Sequence, residues 1–163
     1  MLLGLGTEKV EATVKMLFPQ ASVARMDRDT TRRKGSMIKI LKGLRNRTID
    51  VLVGTQMVAK GHDFPNITLV GIICADLSLN FPDFRAGERT FQLLAQVAGR
   101  AGRGAVPGRV LLQTYNPDHF SILSATGQDL KPFYKTEIGF RKGLNYPPFS
   151  RVVQIKISGK NKE

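Results

Sequence analysis

The sequence predicts an α/β fold, in which a mainly parallel sheet is flanked by helices in three layers. Helical and strand patterns alternate from residue 7 to residue 114, and this alternation is typical of α/β layer folds. Two apolar runs, at residues 51–53 and 67–75, lack polar alternation. Such runs are expected for strands that are buried on both faces of a parallel sheet. With 42% hydrophobic residues the chain can form a real core.

Each element follows from a local pattern of apolar residues. Thr7 is the expected N-cap of the first helix, and Pro19 ends that helix. The predicted helices cover residues 7–18, about 32–46, 86–98, 118–127 and 132–144, and the predicted strands cover residues 22–26, 51–53, 67–75, 109–114 and 151–158. The last strand alternates apolar and polar residues, so we assign it to a different sheet in a further domain.

The charge balance indicates a polyanionic partner. Lys and Arg number 25 against 13 Asp and Glu, which gives a formal net charge of +12. Nucleic acid is the first candidate for such a partner and an anionic membrane the second. The second predicted helix has a basic face, which we expect to be a solvated surface, with DNA contact as the less favoured alternative. No apolar run is long enough to cross a bilayer, and of the two candidate partners we expect nucleic acid and no membrane.

The single cysteine limits the chemistry further. Cys74 has no second cysteine to pair with, which excludes a disulfide within the chain and a zinc site built from several cysteines. The first residues lack the pattern of a signal peptide. We therefore expect a cytoplasmic protein with no metal site in these residues.

The first candidate site is the glycine-rich segment at residues 96–104. Arg100 and Arg103 each follow a glycine, and their spacing of three places them on the same side of a continued helical turn. Two guanidinium groups in this arrangement suit a polyphosphate, as an arginine finger requires during phosphoryl transfer. The alternative is an exposed basic helix end.

The second candidate site follows the strand at residues 51–53. Ligands of open α/β sheets bind beyond the carboxyl ends of the strands, where Thr55 offers a hydroxyl and a backbone N–H. Asp63 could accept a hydrogen bond from a ribose hydroxyl, and Gly61 leaves that corner free of a side chain. The alternative is an ordinary strand-to-helix turn with Asp63 as a cap.

Together these two segments resemble motifs V and VI of superfamily 2 helicases, which divide their ATP site between two RecA-like lobes. Longer strings narrow the resemblance to the PriA family of bacterial replication-restart DNA helicases. These strings lie at residues 25–31, 53–57, 60–65, 75–76, 82–94 and 146–151, and the resemblance runs from about residue 6 to residue 158. The most specific of them are Arg-Ala-Gly-Glu-Arg-Thr-Phe-Gln-Leu-Leu and Tyr-Pro-Pro-Phe-Ser-Arg.

The resemblance implies a role for each candidate residue. In the ATP site, Arg100 and Arg103 would face the γ-phosphate with support from Gln96, and Gly61, Asp63 and Gly99 would lie by the nucleotide. Thr55 and Gln56 would face the phosphates of single-stranded DNA or relay between DNA and ATP. Residues 1–116 would form the second RecA-like lobe, 117–145 a helical segment that closes it, and 146–163 the truncated start of a C-terminal domain.

The resemblance also implies what lies elsewhere in such a helicase. The chain has no Gly-x-x-x-x-Gly-Lys-Ser/Thr sequence, so ATP and Mg²⁺ would be held mainly by the first lobe, and the fragment alone would be inactive. Zinc is expected in the full-length family member but not here. Expected partners are single-stranded and forked DNA, the first lobe and replication-restart proteins. The alternatives are a stand-alone nucleic-acid-binding module without catalysis and a lobe of another superfamily 2 DNA or RNA translocase.

Overall fold

The computed structural model describes residues 6–59, 67–99, 107–153 and 155. Its helices are α1 (Thr7–Leu17), α2 (Ser36–Arg45), α3 (Gln56–Ala59), α4 (Ala86–Ala98), α5 (Phe120–Thr126) and α6 (Leu130–Gly143), with a short 3-10 helix at Ala75–Ser78. Its strands are β1 (Val23–Met26), β2 (Val51–Gly54), β3 (Leu69–Ile72) and β4 (Arg109–Leu112). Helices and strands alternate up to β4, as the sequence predicts.

The strands form two parallel pairs. In the first pair Val23 of β1 lies opposite Val51 of β2, and α2 provides the crossover between them. In the second pair Leu69 of β3 lies opposite Arg109 of β4, and α4 lies between them in the chain. Parallel strands need a crossover of this kind, usually a helix, because the chain must return to the end of the sheet at which the first strand began. The predicted α/β class, with parallel strands flanked by helices, is confirmed.

The main core joins α4 to the two helices that follow β4. It consists of the buried residues Ala75, Phe91, Leu94, Ile122, Ala125 and Phe133. Phe91 of α4 stacks on Phe133 of α6 with 4.2 Å between the ring centroids. Aromatic pairs at this distance add to the stabilisation that burial gives. α4 is therefore held along its length by α5 and α6.

The second strand pair is more exposed than the sequence predicts. Leu69 of β3 is 56% exposed and Leu111 of β4 is 62% exposed. The expectation that the strand at residues 67–75 is buried on both faces is therefore wrong for the described residues. Ile72 and Leu112 pack on the core from one face of the pair, whereas Leu69 and Leu111 are exposed on the other.

Two helix starts differ from the sequence prediction. Gly6, not Thr7, is the N-cap of α1, and Thr7 makes no capping bond because its hydroxyl donates to Asp27 instead. α2 begins at Ser36, several residues later than expected. Gly35 precedes it with φ of +87°, a left-handed conformation that glycine adopts without strain and that interrupts a helix.

The predicted strand at residues 151–158 does not form where the structure describes it. Residues 151–153 and 155 lie in irregular backbone, and Val153 and Ile155 are more than 80% exposed. An edge needs a partner strand to satisfy its backbone groups, and the described residues offer none there. The rest of the segment lies outside the described residues.

Candidate functional site

The turn after β2 is shaped by a close backbone approach. Gly54 ends the strand opposite Met26, and a Cβ at Gly54 would lie 2.5 Å from the Met26 carbonyl oxygen and 2.3 Å from Cγ2 of Val58. Only glycine fits this space without displacement of a neighbour. Gly54 therefore lets α3 fold back tightly over the carboxyl edge of the first strand pair.

Gly54→Ala is expected to destabilise the fold by about 1–3 kcal/mol, the usual cost of forcing extra volume into a packed site. Gly71→Ala in β3 is the matched control, because a Cβ there meets nothing within 4 Å. Urea unfolding of both variants provides the measurement. Equal stabilities for the two variants would contradict the close approach.

Thr55 and Gln56 lie exposed on this edge. The Thr55 carbonyl accepts a hydrogen bond from the Val58 N–H at 2.9 Å, and its hydroxyl lies 3.5 Å from the Met57 N–H, at the limit of a hydrogen bond. The hydroxyl hydrogen is engaged by no described residue. The two predicted nucleic-acid residues are thus adjacent, accessible and placed beyond the strand ends, where α/β sheets bind ligands.

α4 connects this edge to the other candidate site. α3 contacts α4, and Gln96 is exposed near the carboxyl end of α4, where Gly99 forms the C-cap and donates to Ala95 at 3.1 Å. The predicted site residues Gly61, Asp63, Arg100 and Arg103 lie outside the described residues, so their placement stays a prediction. The structure brings together the elements that carry Thr55, Gln56, Gln96 and Gly99.

Asp27 anchors the loop that follows β1, a role that sequence reasoning missed. Its buried carboxylate accepts hydrogen bonds from the Thr7 hydroxyl at 2.6 Å and from the Thr30 backbone N–H at 2.9 Å, and it lies 3.1 Å from Nε of Arg25. Burial raises the pKa of Asp27, but these hydrogen bonds and the Arg25 charge outweigh it and lower the pKa from 3.8 to about 2. The Asp-x-x-Thr spacing of residues 27–30 is the sequence signal that could have predicted this anchoring role.

Arg141 joins the two most specific strings of the sequence. Its guanidinium lies 2.8 Å from carboxylate oxygens of Glu88 and Glu137 and donates to the Pro147 carbonyl at 3.3 Å. The same group lies 5.1 Å from the centroid of the Phe84 ring, within cation–π range. α6 thereby ties the start of α4 to the segment after α6.

Two aromatic rings reinforce the contact between the start of α4 and the segment after α6. Phe84 stacks on Tyr146 with 5.3 Å between the ring centroids. Burial lowers the pKa of Arg141, but its bonds to Glu137 and Glu88 outweigh this effect and raise the pKa, so the guanidinium stays charged. No periodic pattern in the sequence indicates the Glu88–Arg141 pair, because 53 residues separate its members.

Asp76 fastens the second strand pair at its carboxyl edge. Its carboxylate accepts hydrogen bonds from the Thr114 hydroxyl and from the backbone N–H groups of Tyr115 and Asn116, at 2.9 and 3.1 Å. Burial raises the pKa of Asp76, but these donors outweigh it and the pKa falls. Asp76 therefore joins the 3-10 helix to the end of β4.

His119 has a structural role at the start of α5. His119 is the N-cap of α5, and its Nδ1 accepts a hydrogen bond from the Ser121 N–H at 3.2 Å. Burial lowers the pKa of His119, and this effect outweighs the negative charges of Glu137 and Asp76, which raise it.

Across residues 6–59, 67–99, 107–153 and 155, no cluster of His, Cys, Asp and Glu could hold a metal ion. Within the same ranges no helix is both long and apolar enough to cross a bilayer.

Comparison with known proteins assigns the chain to a family. The model of the family described as "Helicase conserved C-terminal domain" matches residues 5–105. The replication restart protein PriA of Bacillus subtilis is 48% identical over 155 residues, which cover 95% of this chain and 19% of that protein. PriA of Chlamydia muridarum is 47% identical over 96% of the chain and 21% of the relative, and PriA of Treponema pallidum is 46% identical over 98% and 24%.

The chain spans about a fifth of the length of these relatives. The family model covers both segments that carry the predicted site residues, up to residue 105. The similarity to the relatives extends over nearly the whole chain, including α5 and α6. The chain therefore belongs to the family of helicase conserved C-terminal domains, and it is homologous over this length to part of the replication restart protein PriA.

Proposed function

We propose that the chain is the second RecA-like lobe of an ATP-dependent DNA helicase that acts in replication restart. It would supply an arginine finger and part of a single-stranded DNA track. One structural observation carries this proposal: α3, which follows Thr55, contacts α4, which leads to Gly99. The helix that follows the residues expected to meet DNA thus packs on the helix that leads to the residues expected to meet ATP.

The chemistry proposed for the ATP side is electrostatic. In phosphoryl transfer negative charge spreads over the transferred group, and a guanidinium fork can stabilise that charge without a covalent step. Arg100 and Arg103 would supply this charge, and the exposed Gln96 would lie about one turn before Arg100. Gly61, Asp63 and Gly99 would border the nucleotide. ATP and Mg²⁺ would be held mainly by a first lobe that carries a P-loop.

The chemistry proposed for the DNA side is phosphate contact. Thr55 and Gln56 are exposed beyond the end of β2, and each can donate a hydrogen bond to a phosphate oxygen. Such contacts fix the position of a strand but carry no base information. Closure and opening of the two lobes during each ATP cycle would then move the strand along the track. Expected partners are single-stranded and forked DNA, the first lobe and replication-restart proteins.

The isolated 163-residue chain is expected to show no DNA-stimulated ATP hydrolysis, because it lacks the Gly-x-x-x-x-Gly-Lys-Ser/Thr sequence that cradles the phosphates. Phosphate release in the presence and absence of single-stranded DNA provides the measurement. A two-lobe helicase assayed in parallel is the control. DNA-stimulated hydrolysis by the purified chain would refute the division of labour between lobes.

A stand-alone nucleic-acid-binding module is the second candidate function, and the net charge of +12 favours it. A module of that kind would bind DNA but would not restore ATP hydrolysis to a protein that provides the first lobe. The two candidates therefore differ in the result of a complementation experiment.

A further inference from the structure

We propose that α2 and the turns on either side of it form a second contact for a nucleic-acid phosphate backbone, separate from the turn after β2 that carries Thr55 (the Thr55 turn). The basic segment consists of Arg32, Arg33, Lys34, Lys39, Lys42, Arg45 and Arg47. All seven residues are exposed. The stretch from residue 30 to residue 49 contains no acidic residue.

Among the described residues, the charges of the basic segment are uncompensated. None of its seven side chains forms an ion pair within the described ranges. Elsewhere in those ranges, Arg25, Arg89 and Arg141 are each paired with a carboxylate. Like charges held close together without counter-charges repel one another and produce a concentrated positive potential. A polyanion that binds there relieves this repulsion and releases its own counterions.

The topology gives the basic segment a direction. α2 connects the parallel strands β1 and β2, so it starts near the carboxyl edge of the pair and runs antiparallel to both strands. The Thr55 turn lies on that same carboxyl edge. The ten residues of α2 extend about 15 Å, with Lys39, Lys42 and Arg45 one turn apart. The basic segment therefore begins on the edge that carries Thr55 and leads away from it.

The chemistry of the segment favours nucleic acid over the other polyanions. A membrane-bound helix needs a free apolar face, but α2 packs against β1 and leaves Ile38 as its one large exposed apolar residue. Protein interfaces are enriched in aromatic residues at their centre, and no aromatic residue occurs between residues 28 and 50. A row of cations with neither feature suits regularly spaced phosphates, in a single strand or in a duplex.

The experiment compares two charge reversals of equal size. Lys39→Glu with Lys42→Glu changes the basic segment, and Lys131→Glu with Lys135→Glu changes two exposed lysines of α6 that have no ion pair in the described chain. Each double variant lowers the formal net charge from +12 to +8. Binding of the 163-residue chain to a labelled single strand and to a duplex is measured at several salt concentrations, after circular dichroism has shown that each variant is folded.

The α2 variant is expected to bind at least about tenfold more weakly at 50 mM salt, with the salt slope reduced by about 1.4 on a single strand or about 1.8 on a duplex, which corresponds to two phosphates. The α6 variant is expected to change the slope little. The nucleic acid that shows the larger loss identifies the form that α2 contacts. Equal losses in the two variants would overturn the inference, as would tighter binding of poly-glutamate than of either nucleic acid.

Thr55→Ala separates this inference from the proposed function. If Thr55→Ala weakens binding of all sequences while the α2 reversal has no effect, the inference is wrong and the track at the Thr55 turn stands. If only the α2 reversal weakens binding, the inference stands and the proposed track is wrong. Losses in both variants support both contacts.

Discussion

Arg103→Ala is expected to lower the ATP turnover of a two-lobe protein that contains this chain by about 10³-fold or more, the effect usual for an arginine finger. Arg100→Ala is expected to act in the same direction. The reason is that the guanidinium stabilises charge that develops only in the transition state. Nucleotide binding is therefore expected to change much less than turnover.

A suitable protein is a chimaera in which this chain replaces the matching segment of PriA from Bacillus subtilis, its 48%-identical relative. Turnover is measured by phosphate release under saturating DNA, and nucleotide affinity by a fluorescent analogue. Arg109→Ala is the control, since Arg109 is an exposed arginine of β4 with no ion pair in the described residues. An equal loss in Arg109→Ala and Arg103→Ala would mean that general positive charge, not a finger, supports hydrolysis.

Asp27→Asn is expected to destabilise the fold by about 2 kcal/mol at neutral pH. The pKa of the Asp27 carboxyl is about 2 in the folded protein against 3.8 as its ordinary value, and each unit of difference corresponds to about 1.4 kcal/mol. Because the folded pKa is the lower one, this stabilisation is present above about pH 4. It is lost as the pH falls from there through about 2.

Urea unfolding between pH 2 and pH 7 provides the measurement. The unfolding free energy of the unmodified chain is expected to drop more steeply below pH 4 than that of Asp27→Asn, which has no carboxylate to protonate at this position. Asp29→Asn is the matched control, since Asp29 is exposed in the same loop and its side chain accepts no hydrogen bond among the described residues. Asp27→Asn and Asp29→Asn with identical curves would show that Asp27 is not the anchor.

Local patterns were enough to predict the elements whose bounds are marked by neighbouring residues. α4 has the bounds expected from its apolar periodicity, Ala86–Ala98, and the strand β2 was recognisable from three apolar residues and a following glycine. The same logic failed at Thr7. Its hydroxyl had the right chemistry for a cap, but it bonds to Asp27, twenty residues away. The short stretch of sequence from which a helix cap is predicted does not contain Asp27, the acceptor to which the Thr7 hydroxyl bonds instead.

The candidate site was predictable in part for the same reason. Thr55 and Gln56 could be placed beyond a strand end because a buried apolar run and a glycine precede them. The contact between α3 and α4 could not be inferred, since it depends on how separate crossovers pack. The Arg141 cluster escaped notice because its partners come from three segments that meet only in the fold.

The most direct measurement of the central claim is DNA-stimulated ATP hydrolysis by the unmutated chimaera. If the chain is a second helicase lobe, the chimaera will hydrolyse ATP faster when single-stranded DNA is added, and neither half will do so alone. A folded chimaera that binds nucleotide and DNA but shows no stimulation would contradict the account and leave a nucleic-acid-binding module as the function.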